Sequence, residues 1–188
     1  KINQIKRIFK KPEILLSTDC KKSVKIGKKN KINIDIRPKK FATSTIPMKE
    51  VYKYLASRVK NKYICYVNVT SPLISDKSIK KAYNFFKKNK QKYDSLTTVH
   101  IIQEYMWFKG KAINYNPNNH PRSQNLKKIY ALNFAFSIVK SNFMKKEGKI
   151  FGNKFYPLVL NSPEHFDIDE KSDFILAELI YKNIKKIH

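Results

Sequence analysis

The alternation of short apolar runs with amphipathic helical stripes constrains this chain more than any other feature. Glu13-Ile14-Leu15-Leu16-Ser17 is a short strand-like run, and Ile32, Ile34 and Ile36 alternate with polar residues as a second strand does. Met48, Val51, Tyr52, Leu55 and Val59 then share one helical face, with Pro47 suited to its first turn. Tyr63 to Val69 reads as a central strand, Thr70-Ser71-Pro72 breaks it, and Ile79, Ala82, Tyr83 and Phe86 mark another helix. Strands and helices in this order predict an α/β fold, with a parallel-rich sheet covered on both faces.

The rest of the chain fits around that frame. Residues 2–10 read as a basic amphipathic helix stopped by Pro12, and Thr18 or Asp19 is expected to cap a helix running to about Ile26. Ser95 to Ile102 reads as a strand, and a hairpin is expected around Lys109-Gly110-Lys111. A loop over residues 116–125, a strand from about Asn133 to Val139, a helix near Ser141 to Glu147 and a strand Tyr156 to Leu160 complete the body. At 188 residues, with no internal repeat or linker, the chain is expected to form a single domain over 1–188.

The formal charge of +26 implies attraction to anions, from nucleotides to polyanions. Only four of the 40 basic residues are arginine, however (Arg7, Arg37, Arg58 and Arg122). Base readout and phosphate forks favour clustered arginine, so dedicated nucleic-acid recognition does not follow from this excess of lysine. Cys20 and Cys65 have no ligand spacing, and Cys65 is expected as a buried free thiol in a reducing compartment. No apolar run reaches the length of a membrane span and no signal-peptide pattern opens the sequence, so a soluble, cytoplasmic protein with no membrane partner is expected.

Acid is concentrated in Ser162-Pro163-Glu164-His165-Phe166-Asp167-Ile168-Asp169-Glu170-Lys171-Ser172-Asp173, which leads into the apolar-periodic segment 174–184. In an extended backbone Asp167 and Asp169 leave on one side, roughly 7 Å apart at Cα, a spacing two carboxylates can use to hold a hard divalent cation. The same residues could instead cap the following helix. His100, His120, His165 and His188 lack zinc-ligand spacing, and His165, beside the acidic pair, could touch substrate but reads more readily as an exposed loop residue. Trp107 is expected to pack the hairpin or a dimer contact.

Taken in order, Ser17-Thr18-Asp19, Arg37-Pro38 with Phe41-Ala42-Thr43, Asn68-Val69-Thr70-Ser71-Pro72-Leu73, Asn133-x-Ala135 and Phe166-Asp167-Ile168-Asp169-x-x-x-Asp173-Phe174 form a pattern. Over residues 13–180 it resembles the acylneuraminate cytidylyltransferases, the CMP-sialic acid synthetases and their relatives. The resemblance implies a Rossmann-like nucleotidyltransferase fold with a mixed sheet, and a homodimer formed through an extension at about 103–130. It implies transfer of CMP from CTP to a nonulosonic sugar acid with release of pyrophosphate, and dependence on magnesium. It places Asp167 and Asp169 as catalytic metal ligands, Arg37 and Ser71 at the nucleotide, and Asn68, Thr70, Arg122 and Asn133 at the sugar.

The sequence also departs from that pattern. The family's N-terminal strand and its loop carrying Arg, Gly and Lys, which hold the CTP triphosphate, have no counterpart in these 188 residues. With four glycines in all, no other glycine-rich phosphate cradle is available. Ser123, Ala131, Phe134 and Ser137 stand where an Arg, an Arg, a Gly and a Tyr are expected, with Arg122 beside the first. Two alternatives therefore stay open beside the enzyme: a non-catalytic truncated or diverged relative that keeps the fold and dimer surface, and a lysine-driven polyanion binder.

Overall fold

The computed structural model describes residues 1–10 and 12–187, with side chains described as far as Asn183. Helix α1 (Ile2–Ile8) leads to strand β1 (Leu15–Thr18), helix α2 (Lys21–Lys29) and strand β2 (Asn33–Ile36). Helix α3 (Met48–Ser57), strand β3 (Tyr63–Val67), helix α4 (Asp76–Asn89) and strand β4 (Ser95–Ile102) follow. A hairpin of β5 (Trp107–Phe108) and β6 (Lys111–Ala112) precedes the long strand β7 (Ile129–Lys140), helix α5 (Ser141–Glu147), strand β8 (Phe155–Val159) and helix α6 (Lys171–Ile187).

The sheet is mixed, and less parallel than the alternation of elements suggests. Its four strands run in the order β3-β7-β4-β8; β7 is antiparallel to both of its neighbours, and only β4 and β8 pair in parallel. β1 and β2 form a separate parallel pair. Helices cover both faces of the four-stranded sheet, as expected. On one face, Ile79, Ala82 and Phe86 of α4 pack with Leu96, Phe136, Ile138 and Leu158, and Ile5, Ile8 and Phe9 from α1 and its end close over them. On the other, Ala56 and Leu55 of α3 meet Met144 and Phe143 of α5 over Val139 and Ile64. Chemistry at the strand ends is thus mounted on a body anchored from both sides.

Several local expectations are corrected. α2 begins at an N-cap Cys20 without a side-chain cap; Thr18 Oγ1 accepts instead from the Cys20 backbone N–H at 3.1 Å. In β2 Ile34 is half-buried and Asn33 exposed as alternation suggests, but at the strand's end Ile36 is 70% exposed and Asp35 is buried at 6%. Cys65, a free thiol on strand β3, keeps part of its surface open to solvent, yet burial pushes its thiol pKa up to about 11. β7 starts at Ile129 and contains a register shift opposite Thr97–Val99. There Phe134 takes φ +53°, left-handed backbone at the position where the resemblance expects glycine.

The hairpin turn and the end of α5 follow their sequence signals. Lys109 and Gly110 both have positive φ, as a two-residue turn between antiparallel strands requires. α5 ends on Gly148 at φ +63°, where a Cβ would land on the Lys49 carbonyl oxygen. No helix among the described residues is long and apolar enough to cross a membrane.

Candidate active site

β3, β4 and β8 run in one direction, so Asn68, His100 and the segment after Leu160 gather at one edge of the sheet, together with the start of antiparallel β7. That edge, at the carboxyl ends of the parallel strands, is where ligands bind in open α/β sheets. The segment 161–170 leaves β8 and crosses the edge toward β3. It starts with Leu160 N–H donating to the Val99 carbonyl at 2.8 Å, and it is tied down again where Ile168 N–H donates to the Thr70 carbonyl at 2.9 Å.

This crossing brings together residues nearly a hundred positions apart. Ser71, fully buried, donates from Oγ to Asp167 Oδ1 at 3.2 Å. Asp169 is exposed, and its backbone N–H and that of Glu170 both donate to Asp173 Oδ2, at 3.0 and 2.8 Å. Asp173, in the first turn of α6, is therefore the residue that reaches back to cap this helix. Asp167 and Asp169 are left free of that duty, which removes the structural competitor to cation binding.

Arg37 stands at the end of β2. Its Nη2 donates to the Ser17 carbonyl at 2.8 Å and its Nε to Ser17 Oγ at 3.3 Å, which sets the guanidinium in one orientation. Beneath it lies a network that the sequence analysis missed. Asp35 accepts from Ser17 Oγ at 2.8 Å, from Tyr54 Oη at 2.8 and 2.9 Å and from Arg58 Nε at 3.0 Å. Burial, and then the bond to Asp35, raises the Tyr54 hydroxyl pKa above its ordinary range. A carboxylate between two isoleucines on a strand is the signal that could have exposed this hub, because such a charge survives burial only when paired.

Tyr66 on β3 links the two sides. Burial raises its pKa, the Arg37 guanidinium lowers it and the Asp167 carboxylate raises it, so all three groups share one electrostatic neighbourhood. Asn68 is half-buried, its backbone N–H donating to the Ala135 carbonyl at 3.2 Å. Asn133 is buried, with Oδ1 accepting from Thr98 Oγ1 at 2.7 Å and from the Ala135 N–H at 3.2 Å. Thr70 contributes its carbonyl to the acidic segment. Arg122 is exposed, and none of these hydrogen bonds draws its side chain to the others. Ser137, where a tyrosine is expected, instead shares a 2.6 Å hydrogen bond with Thr97 in the interior.

The histidines need a further correction. His165 is not an exposed loop residue: it is half-buried and stacked on His100, with ring centroids 4.6 Å apart and planes 19° from parallel. Trp107 is 55% exposed on the hairpin and donates from Nε1 to Tyr115 Oη at 2.6 Å. Among the described residues no three His, Cys, Asp or Glu side chains form a ready-made metal cage. The donor set still fits magnesium, which keeps several waters and is commonly held by one or two carboxylates together with substrate phosphates.

Known proteins give this geometry a lineage. The chain is 24% identical to the post-translational flagellin modification protein B of Campylobacter coli, over 94% of this chain and 79% of that protein. It is 27% identical to the pseudaminic acid cytidylyltransferase of Campylobacter jejuni, over 90% of this chain and 78% of that protein. Its fold matches CMP:2-keto-3-deoxy-manno-octonic acid synthetase complexed with CTP, with a TM-score of 0.62 at 8% identity, covering 97% of this chain and 87% of that one. It also matches the bifunctional IspDF of Campylobacter jejuni, with a TM-score of 0.61 at 13% identity, covering 93% of this chain but only 44% of that one. Residues 2–187 match the family described as Cytidylyltransferase, and the chain belongs to that family.

Proposed function

We propose that this chain transfers CMP from CTP to the anomeric hydroxyl of a nonulosonic sugar acid. The observation that carries the reading is the docking of the acidic segment onto the Thr70–Ser71 turn at the ligand-binding edge. The family membership and the pseudaminic acid enzyme among its relatives support the choice of substrates. In the reaction the acceptor oxygen forms a bond to the α-phosphorus, the bond from that phosphorus to the β-phosphate bridge oxygen breaks, and pyrophosphate leaves. The hydroxyl proton passes to solvent.

Asp167 and Asp169 would hold magnesium, which neutralises charge on the transferring phosphoryl group when bound. Ser71 orients Asp167 from beneath, and Asp173 fixes the backbone that carries Asp169. Arg37, already committed to Ser17 through Nε and Nη2, keeps its remaining donors for nucleotide phosphate. Asn68, Thr70 and Asn133 lie on the acceptor side, and Arg122 would reach the sugar only from the exposed loop that carries it. We further propose that the 103–130 extension forms a homodimer through Trp107, Phe108 and Ile113, each more than half exposed. Sedimentation should then show a dimer that Trp107→Lys dissociates, and a monomeric parent protein would end that idea.

The central test measures pyrophosphate released from CTP and pseudaminic acid with magnesium. Release is expected, and Asp169→Asn should reduce it roughly 100-fold, as loss of a ligand that stabilises transition-state charge does. Unfolding free energy should be unchanged, because the exposed Asp169 carboxylate makes no hydrogen bond among the described residues. Absence of both pyrophosphate release and magnesium-dependent CTP binding would overturn the reading.

A further inference from the structure

Arg37 sits in the chain between two residues that one side chain of α3 holds in place. Tyr54, half-buried, donates from Oη to the Asp35 carboxylate, 2.8 Å from Oδ1 and 2.9 Å from Oδ2. The ring of the same tyrosine stacks on Phe41, with centroids 4.4 Å apart and planes 21° from parallel. Asp35 lies in β2 just before Arg37, and Phe41 ends the turn Lys39–Phe41 just after it. Tyr54 does not belong to the cluster in which Tyr52, Leu55 and Ala56 seat α3 on the sheet. The packing of that helix on the core therefore does not account for the two contacts.

The direction of each hydrogen bond on the Asp35 side is determined. A carboxylate paired with a guanidinium, as Asp35 is with Arg58, accepts and does not donate. Ser17 must therefore point its proton at Asp35 Oδ2, 2.8 Å away, which turns an Oγ lone pair toward Arg37 Nε at 3.3 Å. The Ser17 carbonyl takes Nη2 at 2.8 Å, so two of the five guanidinium donors are fixed on one residue and three stay free. On the other side, Phe41 N–H donates to the Pro38 carbonyl at 2.9 Å, which makes the link from Arg37 to the stacked ring short and closed. A guanidinium held in this way before its ligand arrives loses little freedom on binding, and the phosphate contact is stronger for it.

We propose that Tyr54 is a positioning residue for the nucleotide: its hydroxyl sets Asp35, Ser17 and so the Arg37 guanidinium, while its ring fixes the turn that follows Arg37. It acts through Arg37 and does not itself touch CTP. The inference rests on the assignment of Arg37 to nucleotide phosphate made above, and adds a residue of another element on which that contact depends. A merely structural Tyr54 would tie α3 to β2 and change stability; a positioning Tyr54 changes CTP affinity, and only while Arg37 is present.

The test is a double-mutant cycle on CTP affinity, measured by calorimetry on the full chain with magnesium, beside urea unfolding of each variant. Arg37→Ala removes charge-assisted bonds to phosphate and should weaken CTP binding about 30-fold. Tyr54→Phe keeps the ring and loses the donor, and should weaken it about fivefold, the cost of ordering a freed arginine. In the Arg37→Ala background the same change should have no further effect. Phe41→Leu leaves the hydroxyl network in place and should weaken CTP binding about threefold, again only while Arg37 is present. In turnover, Tyr54→Phe and Phe41→Leu should raise KM for CTP and leave KM for the sugar acid unchanged. Equal losses with and without Arg37, or lowered stability with unchanged CTP affinity, overturn the positioning role alone. Unchanged CTP affinity in Arg37→Ala overturns the role of Arg37 together with it, and a parent chain that binds no CTP overturns the functional reading beneath both.

Discussion

Around Asp35 a buried carboxylate is met by a serine, a tyrosine and an arginine, whereas around His100 three buried nitrogens are met by nothing within the described residues. Both regions lie beside the proposed ligand edge, and both bury polar groups that water would otherwise satisfy. The difference separates two uses of polarity. A completed network holds Ser17, and through it Arg37, in one position. An incomplete one carries a standing cost that a ligand can remove.

That contrast can be broken most directly at the completed network. Asp35→Ala removes the shared acceptor of three donors and should cost about 3 kcal/mol of unfolding free energy, read from urea denaturation. The figure is taken at the low end because Arg58 is 54% exposed. A loss below about 1 kcal/mol would show that the network is ornamental and that the comparison fails.

A smaller effect sharpens the other half. His100 binds a proton less readily in the folded protein than in the unfolded chain. Below about pH 6.5 the unfolded state therefore holds more protons, and stability must fall as the pH drops through that value. The melting temperature should decline between about pH 7.5 and pH 5.5. His100→Phe should flatten that part of the profile, since it keeps the ring and loses the titration. An unchanged slope in the variant would place the pH dependence elsewhere.

How much of this was legible beforehand varies with the range of the forces involved. The helical stripe from Met48 to Leu55 and the strand from Tyr63 to Val67 were legible because periodicity is a local property of neighbouring side chains. The turn at Lys109-Gly110 was legible for the same reason. At the end of β2 the alternation of isoleucines did not show which residue is buried. Ile36 turned out exposed and Asp35 buried, because Tyr54 and Arg58 from α3 and its end supply the charge partners there. The bulge in β7 at Phe134 gave no local signal, since a phenylalanine ordinarily avoids positive φ.

The sequence by itself determined the order of strands and helices, the family pattern and the acidic pair Asp167 and Asp169, all carried by residue type and short spacing. Tertiary structure alone decided which acid caps α6, leaving Asp169 free by assigning that duty to Asp173. It alone set Ser71 against Asp167 and stacked His165 on His100, 65 positions earlier in the chain. The reason is physical: periodicity reports what each residue's neighbours in the chain require. A buried carboxylate or imidazole is judged instead by the partners that distant segments bring to it, and only the folded chain places those.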